Sequence, residues 1–192
     1  MMIVGSPDRD EAALLAGEIP CPRCSAQLRP HGHARTRAVR GLGGARLTVR
    51  PRRARCTGCG RTQVLLPAAL SVRRADTLEV IGTALAAKVA GSGYRTIAAH
   101  MGRPLSTVRR WFRRVPETHA HWLYKQAVQH AFRLDPDILV RPKQWPSMLG
   151  SSLNILAGAA LAYRKRVDPE QPVWAVIGHF TRGNLLSPPL RT

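Results

Sequence analysis

From residue 76 onwards, apolar residues recur every three or four positions, the spacing that places them on one face of an α-helix. Leu78, Ile81 and Leu85 follow this spacing and predict a helix over residues 76–90. The same periodicity predicts two longer helices, over residues 119–132 and 148–166.

Before residue 68 the pattern changes to short extended runs separated by glycine and proline. Such runs are typical of strands joined by turns. The sequence predicts strands over residues 34–40, 45–50 and 62–66, with the first two joined as a hairpin. We therefore expect a mainly α protein with a small β part towards its N-terminal end.

Residues 94–114 have the pattern of a helix-turn-helix unit. Ala98, Gly102 and Val108 supply the small, turn and apolar residues that let two short helices cross closely. Gly102 stands where the first helix must end and reverse, which favours a residue tolerant of positive φ. Ser106 is expected to cap the second helix. The alternative is an ordinary helical hairpin with a solvated basic face.

The four cysteines form two Cys-x-x-Cys pairs, Cys21 with Cys24 and Cys56 with Cys59. Four thiolates complete a tetrahedral shell for zinc, and a closed shell is structural because a catalytic zinc keeps an open position. Two disulfides or a redox pair are the alternatives. We find no signal peptide, and a reducing cytosol would keep the thiols available as ligands. The expectation is structural Zn²⁺ in a zinc ribbon over residues 19–67.

Charge is the second strong signal, with 30 Lys and Arg against 11 Asp and Glu, a net charge of +19. No acidic residue occurs between Glu18 and Asp76, or between Glu79 and Glu117. Such one-signed surfaces repel themselves unless a polyanion meets them, and nucleic acid is the expected partner. No basic amphipathic anchor or transmembrane-length window favours a membrane. A generic solvated surface is the remaining alternative.

The second helix of the predicted unit is expected to enter the major groove of double-stranded DNA. The candidates for contact in and around this unit are Arg95, Arg103, Ser106, Thr107, Arg109, Arg110, Arg113 and Arg114. Four arginines of the predicted ribbon are expected to bind phosphates and so to set the register of the protein on the DNA duplex. They are Arg50, Arg52, Arg53 and Arg55.

Composition divides the chain into a flexible leader at 1–18, the zinc ribbon at 19–67, a helix-turn-helix domain at 68–116 and a helical C-terminal region at 117–192. Small residues at four-residue spacing along 150–162 would allow close helix packing, either within the chain or in a homodimer. The sequence contains no phosphate loop, nucleophile elbow or Cys–His dyad, so no enzymatic activity is expected.

Three motifs carry a resemblance to a known family. They are Cys-Pro-Arg-Cys at 21–24, Arg-Cys-Thr-Gly-Cys-Gly-Arg-Thr running into Leu-Leu-Pro at 55–67, and the stretch 93–111 that ends in Ser-Thr-Val-Arg-Arg-Trp. Together they resemble bacterial zinc-ribbon plus helix-turn-helix proteins, similar to the N-terminal DNA-binding region of insertion-sequence transposases. The resemblance covers roughly residues 19–115. It implies DNA binding in the bacterial cytoplasm, at the nucleoid, with structural zinc.

The resemblance does not extend to a transposase nuclease, since too few residues and carboxylates follow the helix-turn-helix. We therefore expect a transcriptional regulator or a stand-alone transposase-like DNA-binding protein. One alternative is a truncated or partner-dependent transposase. The other is an RNA- or ribosome-associated basic zinc-ribbon protein, although the major groove of A-form RNA is too narrow for a helix.

Overall fold

The computed structural model describes residues 1–5, 7–140 and 143–187. Seven α-helices and six short strands lie in this described part. The protein is therefore dominated by helices and has a small sheet part, as the sequence predicts.

Four of the strands form one sheet and two form a separate hairpin. The sheet contains β1 (Met2–Val4), β2 (Leu28–His33), β5 (Arg52–Cys56) and β6 (Thr62–Pro67), in the order β1-β6-β5-β2. β1 runs parallel to β6, and the other pairs are antiparallel. The hairpin consists of β3 (Arg37–Arg40) and β4 (Arg46–Val49), joined by a 3₁₀ turn at Leu42–Gly44.

The N-terminal segment differs from the flexible leader expected for residues 1–18. Its β1 pairs with β6, and α1 (Pro7–Ala16) lies beside the sheet with Leu14 fully buried. Glu11 holds α1 in place through two contacts with Arg52, of 3.0 and 2.9 Å. The prediction failed because the β1–β6 pairing and the Glu11–Arg52 contacts join the segment to residues far along the chain, which local composition does not reveal.

Six helices follow the sheet in the described residues, and the sequence predicts the first five of them. They are α2 (Leu78–Val89), α3 (Tyr94–Met101), α4 (Leu105–Arg113), α5 (Glu117–Leu134), α6 (Met148–Arg166) and α7 (Val173–Phe180). Thr77 caps α2, since its hydroxyl accepts a hydrogen bond from the Val80 N–H at 3.3 Å. A 3₁₀ turn at Pro136–Leu139 follows α5.

Two main cores of unequal size support these elements, together with a small cluster of Val39, Leu66 and Leu70. The larger one is formed by side chains of the helices α2 to α7, and it includes fully buried residues such as Ile81 and Leu156. The smaller one lies under the sheet and includes Leu28, Leu65 and two of the cysteines. The sheet core holds few large side chains, so this part of the chain depends on other stabilising contacts.

The β3–β4 hairpin is attached to the helices, across the boundary predicted at residue 67. The Arg40 N–H donates to the Ala75 carbonyl at 2.7 Å, and the Thr77 N–H donates to the Arg40 carbonyl at 2.9 Å. Leu42 packs against the helical core. The β3–β4 hairpin and the helices are therefore joined through backbone hydrogen bonds as well as through the chain itself.

The C-terminal region packs closely against the rest of the chain. A Cβ at Gly150 would approach Val89 Cγ1 to 3.0 Å, and one at Gly158 would approach Ile138 Cγ2 to 3.1 Å. These contacts use the small residues of α6 within the chain. Homodimerisation through the region stays a prediction, and residues 141–142 and 188–192 of the region lie outside the described part.

Candidate metal centre and basic helical surface

The four cysteine sulfurs lie in one cluster, within 4.8 Å of one another. Cys21 Sγ is 3.8 Å from Cys59 Sγ, and Cys24 Sγ is 3.4 Å from Cys56 Sγ. A tetrahedral zinc with bonds of about 2.3 Å separates its sulfurs by about 3.8 Å. All four thiols are free of disulfides, and the cluster could hold a metal ion such as zinc.

The two cysteine pairs sit in backbone loops of the same form. The Cys21 N–H donates to the Ala26 carbonyl at 2.7 Å, and the Cys56 N–H donates to the Arg61 carbonyl at 2.9 Å. In the opposite direction, the N–H four residues on donates back to the carbonyl of each first cysteine, at 2.9 and 3.2 Å. Equivalent loops bring the two pairs of sulfurs together from opposite sides.

The residue after each pair adopts the left-handed conformation. Ser25 has φ of 59° and Gly60 has φ of 67°. This conformation is uncommon for residues other than glycine, so both loops are held in a geometry that the surrounding contacts impose. Gly58 fits a second constraint, because a Cβ there would approach Ala26 Cβ to 2.8 Å.

Electrostatics at the cluster favour a thiolate at Cys56. The Cys59 N–H donates to Cys56 Sγ at 3.4 Å, and this backbone hydrogen bond is the main cause that lowers the Cys56 pKa to about 6. Cysteine binds metals as the thiolate. Donor chemistry, spacing and loop geometry therefore fit a four-coordinate zinc, and His31 and His33 lie outside the cluster.

The predicted helix-turn-helix segment consists of α3 and α4, joined by a turn at residues 102–104. Gly102 ends α3 with φ of 61° and ψ of 40°, which confirms the predicted reversal. Ile97 and Met101 of α3 and Val108 and Trp111 of α4 are buried against each other and the helical core. The outer face of α4 is thereby directed to solvent.

Arg103 is not available to nucleic acid, so its prediction as a contact is wrong. Only 9% of the residue is exposed. Its guanidinium donates to Asp76 Oδ1 at 2.7 Å, to the Gly41 carbonyl at 2.7 Å and to the Met101 carbonyl at 2.9 Å. Arg103 is a structural residue that fixes the turn between α3 and α4 to the β3–β4 hairpin.

Ser106 does not cap α4, contrary to the prediction. The helix begins one residue earlier, at Leu105, and Pro104 occupies the capping position without a side-chain hydrogen bond. The Thr107 N–H instead donates to the Pro104 carbonyl at 2.9 Å. Ser106 is therefore exposed in the first turn of the helix, which suits its other predicted role in contact with DNA.

The remaining candidates of the helical pair lie at the surface. Arg95 is exposed on α3, and Thr107 is half-buried on α4. The exposed arginines of α4 and its end are Arg109, Arg110, Arg113 and Arg114. No ion pair with a carboxylate forms at these four arginines in the part of the chain that the structure describes.

The candidate arginines of the predicted ribbon differ in how far other groups of the chain engage them. Arg50 is exposed and Arg53 is half-buried, while Arg55 is exposed although its Nε donates to the Gly60 carbonyl at 3.2 Å. The Arg52 guanidinium pairs with Glu11 and donates to the Gly32 carbonyl at 3.2 Å, which leaves its side chain 22% exposed. Arg52 thus holds α1 on the sheet, and it is poorly placed for the predicted phosphate contact.

Sequence reasoning missed two arginines that face α4. Arg73 and Arg74 lie in the loop before α2 and line a cleft together with Arg110 and Arg114. The signal was an Arg-Arg pair inside the acid-free stretch. It could not be assigned from sequence because the approach of the loop to α4 is a tertiary contact.

A protein-family model described as "Domain of unknown function (DUF6431)" matches residues 21–111. The matched region begins at the first cysteine of the cluster and ends at the buried tryptophan of α4. It therefore contains the cysteine cluster, the β3–β4 hairpin, α3 and most of α4. No curated protein and no solved structure matches the chain.

Within the described residues, we find no helix with the length and apolar character needed to cross a membrane.

Proposed function

We propose that the protein binds double-stranded DNA, with α4 in the major groove and the cysteine cluster holding a structural zinc. The observation that carries this proposal is the outer face of α4. Four exposed arginines, which form no ion pair with a carboxylate within the described residues, lie on the helix and at its C-terminal end, and its opposite face is anchored by Val108 and Trp111. An α-helix fits the width of the major groove, and exposed arginines on its outer face can reach the phosphates and the acceptor atoms of the bases.

The zinc contributes structure rather than chemistry, because four cysteines leave no coordination position for a substrate. Bound at the cluster, it joins the loops that precede β2 and follow β5, next to the thin sheet core. Arg50, Arg53 and Arg55 of this region would contact backbone phosphates. Such contacts contribute affinity and register, and they carry no sequence information directly.

Arg109 and Arg113 are the candidates for reading bases. They lie four residues apart on α4, so their side chains project from one face of the helix. Arginine forms paired hydrogen bonds to guanine O6 and N7, and each good pair contributes about 1–3 kcal/mol of discrimination. The proposal therefore includes a preference for sites that contain guanine.

The test is selection from a random duplex library with the zinc-loaded protein, in the presence of folded RNA as competitor. The expected result is a convergent motif that Arg109→Ala weakens by about 1–3 kcal/mol, with a smaller loss on random DNA. The matched control is Arg166→Ala, which removes an exposed arginine at the far end of α6. Equal competition by RNA without any motif would contradict the proposal and favour an RNA-binding role.

A further inference from the structure

A cleft of about 250 Å³ lies between the loop that precedes α2 and the C-terminal half of α4. Its charged lining consists of Arg40, Arg73, Arg74, Asp76, Arg110 and Arg114. Five cations thus face one carboxylate. Pockets for small organic ligands are mostly apolar and have volumes of about 300–1,000 Å³, so the cleft is better suited to a compact anion.

Asp76 does not supply the anion that the cleft lacks, because its carboxylate is already used. Arg40 donates to both of its oxygens, at 3.0 and 2.8 Å, and Arg103 donates to Oδ1 at 2.7 Å. The other four arginines of the cleft form no ion pair within the described residues. The cleft therefore keeps a net positive charge.

Arg74 is the least satisfied of these cations. Its Nε is buried and has no hydrogen-bond partner in the part of the chain that the structure describes. The pKa of Arg74 lies below its usual value because burial disfavours the charged form and because Arg114 and Arg110 repel it. The fold holds three like charges together, which costs free energy until an anion enters.

The loop itself directs two successive arginines to the cleft. Arg73 adopts φ of 58°, in the left-handed region that few residues other than glycine occupy. The turn is closed by the Arg74 N–H, which donates to the Ser71 carbonyl at 3.3 Å. Strained backbone of this kind persists where surrounding structure imposes it, and it is frequent at ligand sites.

We propose that this arginine cleft binds one phosphate of a nucleic-acid backbone. The inference rests on the DNA-binding function proposed above and refines it. Guanidinium groups bind phosphate through paired N–H donors, and four of them converge here. Arg110 and Arg114 then hold the backbone, while Arg109 and Arg113 remain free to reach base edges. The cleft fixes the depth and register at which α4 lies in the groove.

The first test replaces Arg74 by methionine, which keeps most of the volume and removes the charge. Loss of one phosphate contact makes the slope of log K against log salt shallower by about 1, on selected and random duplexes alike. Fluorescence anisotropy over a range of KCl concentrations measures this slope. Arg166→Met is the control and leaves the slope unchanged. The thermal midpoint of Arg74→Met is expected to equal or exceed that of wild type, because an unpaired, partly buried cation has been removed.

The second test neutralises the DNA instead of the protein. Duplexes are prepared with one methylphosphonate linkage at a time along the selected site. One linkage is expected to weaken wild-type binding and to cause no further loss in Arg74→Met, since the same contact is already missing. At every other linkage the two losses add. Additive losses at all linkages would overturn the cleft as a phosphate site.

The outcomes separate this inference from the proposed function. If the wild-type protein binds DNA and Arg74→Met has the same salt slope, the cleft is not a phosphate site, while the proposed DNA-binding function still holds. If the wild-type protein binds no duplex, both the proposed DNA-binding function and the assignment of the cleft to a nucleic-acid phosphate fail. A thermal-denaturation experiment with inorganic phosphate then tests whether the cleft binds the free anion. Phosphate that raises the thermal midpoint of wild type, but not of Arg74→Met at equal ionic strength, would show a site for free phosphate instead.

Discussion

Arg103 Nε lies 2.7 Å from Asp76 Oδ1, and this buried ion pair joins the turn between α3 and α4 to the loop before α2. Arg103 continues the connection by donating to the Gly41 carbonyl at 2.7 Å. The orientation of α4 therefore depends on residues from the hairpin as well as on the helical core. The pair should therefore affect both the stability of the fold and the position of the exposed arginines of α4.

Asp76→Asn is expected to lower the free energy of unfolding by about 3–5 kcal/mol. The change keeps the size of the side chain but leaves Arg103 buried without its counter-charge, which is costly in a low-dielectric site. Urea denaturation followed by circular dichroism measures the change. The control is Glu170→Gln, because Glu170 is exposed and forms no ion pair within the described residues. Such a surface substitution changes the free energy of unfolding by about 0.5 kcal/mol or less. A loss in Asp76→Asn no larger than in the control would show that Arg103 finds other compensation.

Cys56→Ser is expected to abolish stoichiometric zinc binding and to unfold the sheet around the cluster. Structural zinc contributes on the order of 10 kcal/mol or more to the folding of small domains, and the sheet core here has few large side chains. Elemental analysis gives the zinc content, and the absorption of the cobalt-substituted protein reports thiolate ligation. His31→Ala is the matched control, since His31 is exposed nearby and outside the cluster. One zinc per chain retained in Cys56→Ser would refute the ligand assignment.

Gly178→Ala is expected to destabilise the protein by about 1–3 kcal/mol, the usual cost of forcing a methyl group into a packed site. A Cβ at this position would collide with the Ala68 carbonyl oxygen and would approach Leu78 Cδ2 to 2.8 Å. Thermal denaturation provides the measurement. Gly5→Ala is the control, because its new methyl group would meet only Gln171 at an ordinary distance of 3.4 Å. Equal midpoints for the two variants would mean that α7 does not pack against the segment around Ala68, which follows β6.

Stability is expected to fall as the pH is lowered below about 6.5, the usual pKa of histidine. Burial is the main cause that lowers the pKa of His119, His130 and His179. Because each folded-state pKa lies below the unfolded value, the unfolded chain binds more protons between these two values, and stability decreases there as the pH falls. Above the unfolded pKa all three groups are neutral in both states, and they add no pH dependence.

His119 offers the clearest single test of this pH dependence. Its Nε2 contacts the Leu185 carbonyl at 3.2 Å, while Nδ1 is buried without a hydrogen-bond partner among the described residues. Protonation at Nδ1 would place an uncompensated charge in the core. His119→Phe should therefore flatten the fall of the thermal midpoint between neutral and mildly acidic pH, even if it costs stability at every pH. A slope equal to that of wild type would assign the effect to the other histidines.

The features that the sequence predicts correctly are those with a local signature. The helices α2 to α6 follow from apolar residues at helical spacing, and the cysteine cluster follows from two pairs of fixed spacing. Gly102 ends α3 because its left-handed conformation is a property of one residue. Each of these signals is contained within a short window, where backbone geometry and residue type decide the outcome.

The features that the sequence did not predict depend on distant partners. Arg103 differs from the surface arginines of α4 because Gly41, 62 positions earlier, accepts its hydrogen bond. Arg52 is engaged by Glu11, 41 positions away. An arginine in a basic stretch has the same local pattern in both settings, so only the tertiary fold distinguishes a structural cation from an available one.

The packing around Gly183 has a consequence for how the chain folds during synthesis. The Val72 N–H donates to the Gly183 carbonyl at 3.3 Å, and a Cβ at Gly183 would approach Ile3 Cδ1 to 2.7 Å. Residues at opposite ends of the described chain thus share one contact region. A nascent chain cannot complete this region until residue 183 has left the ribosome, so the packing of Ile3 and Val72 against Gly183 is a late event in the folding of the growing chain.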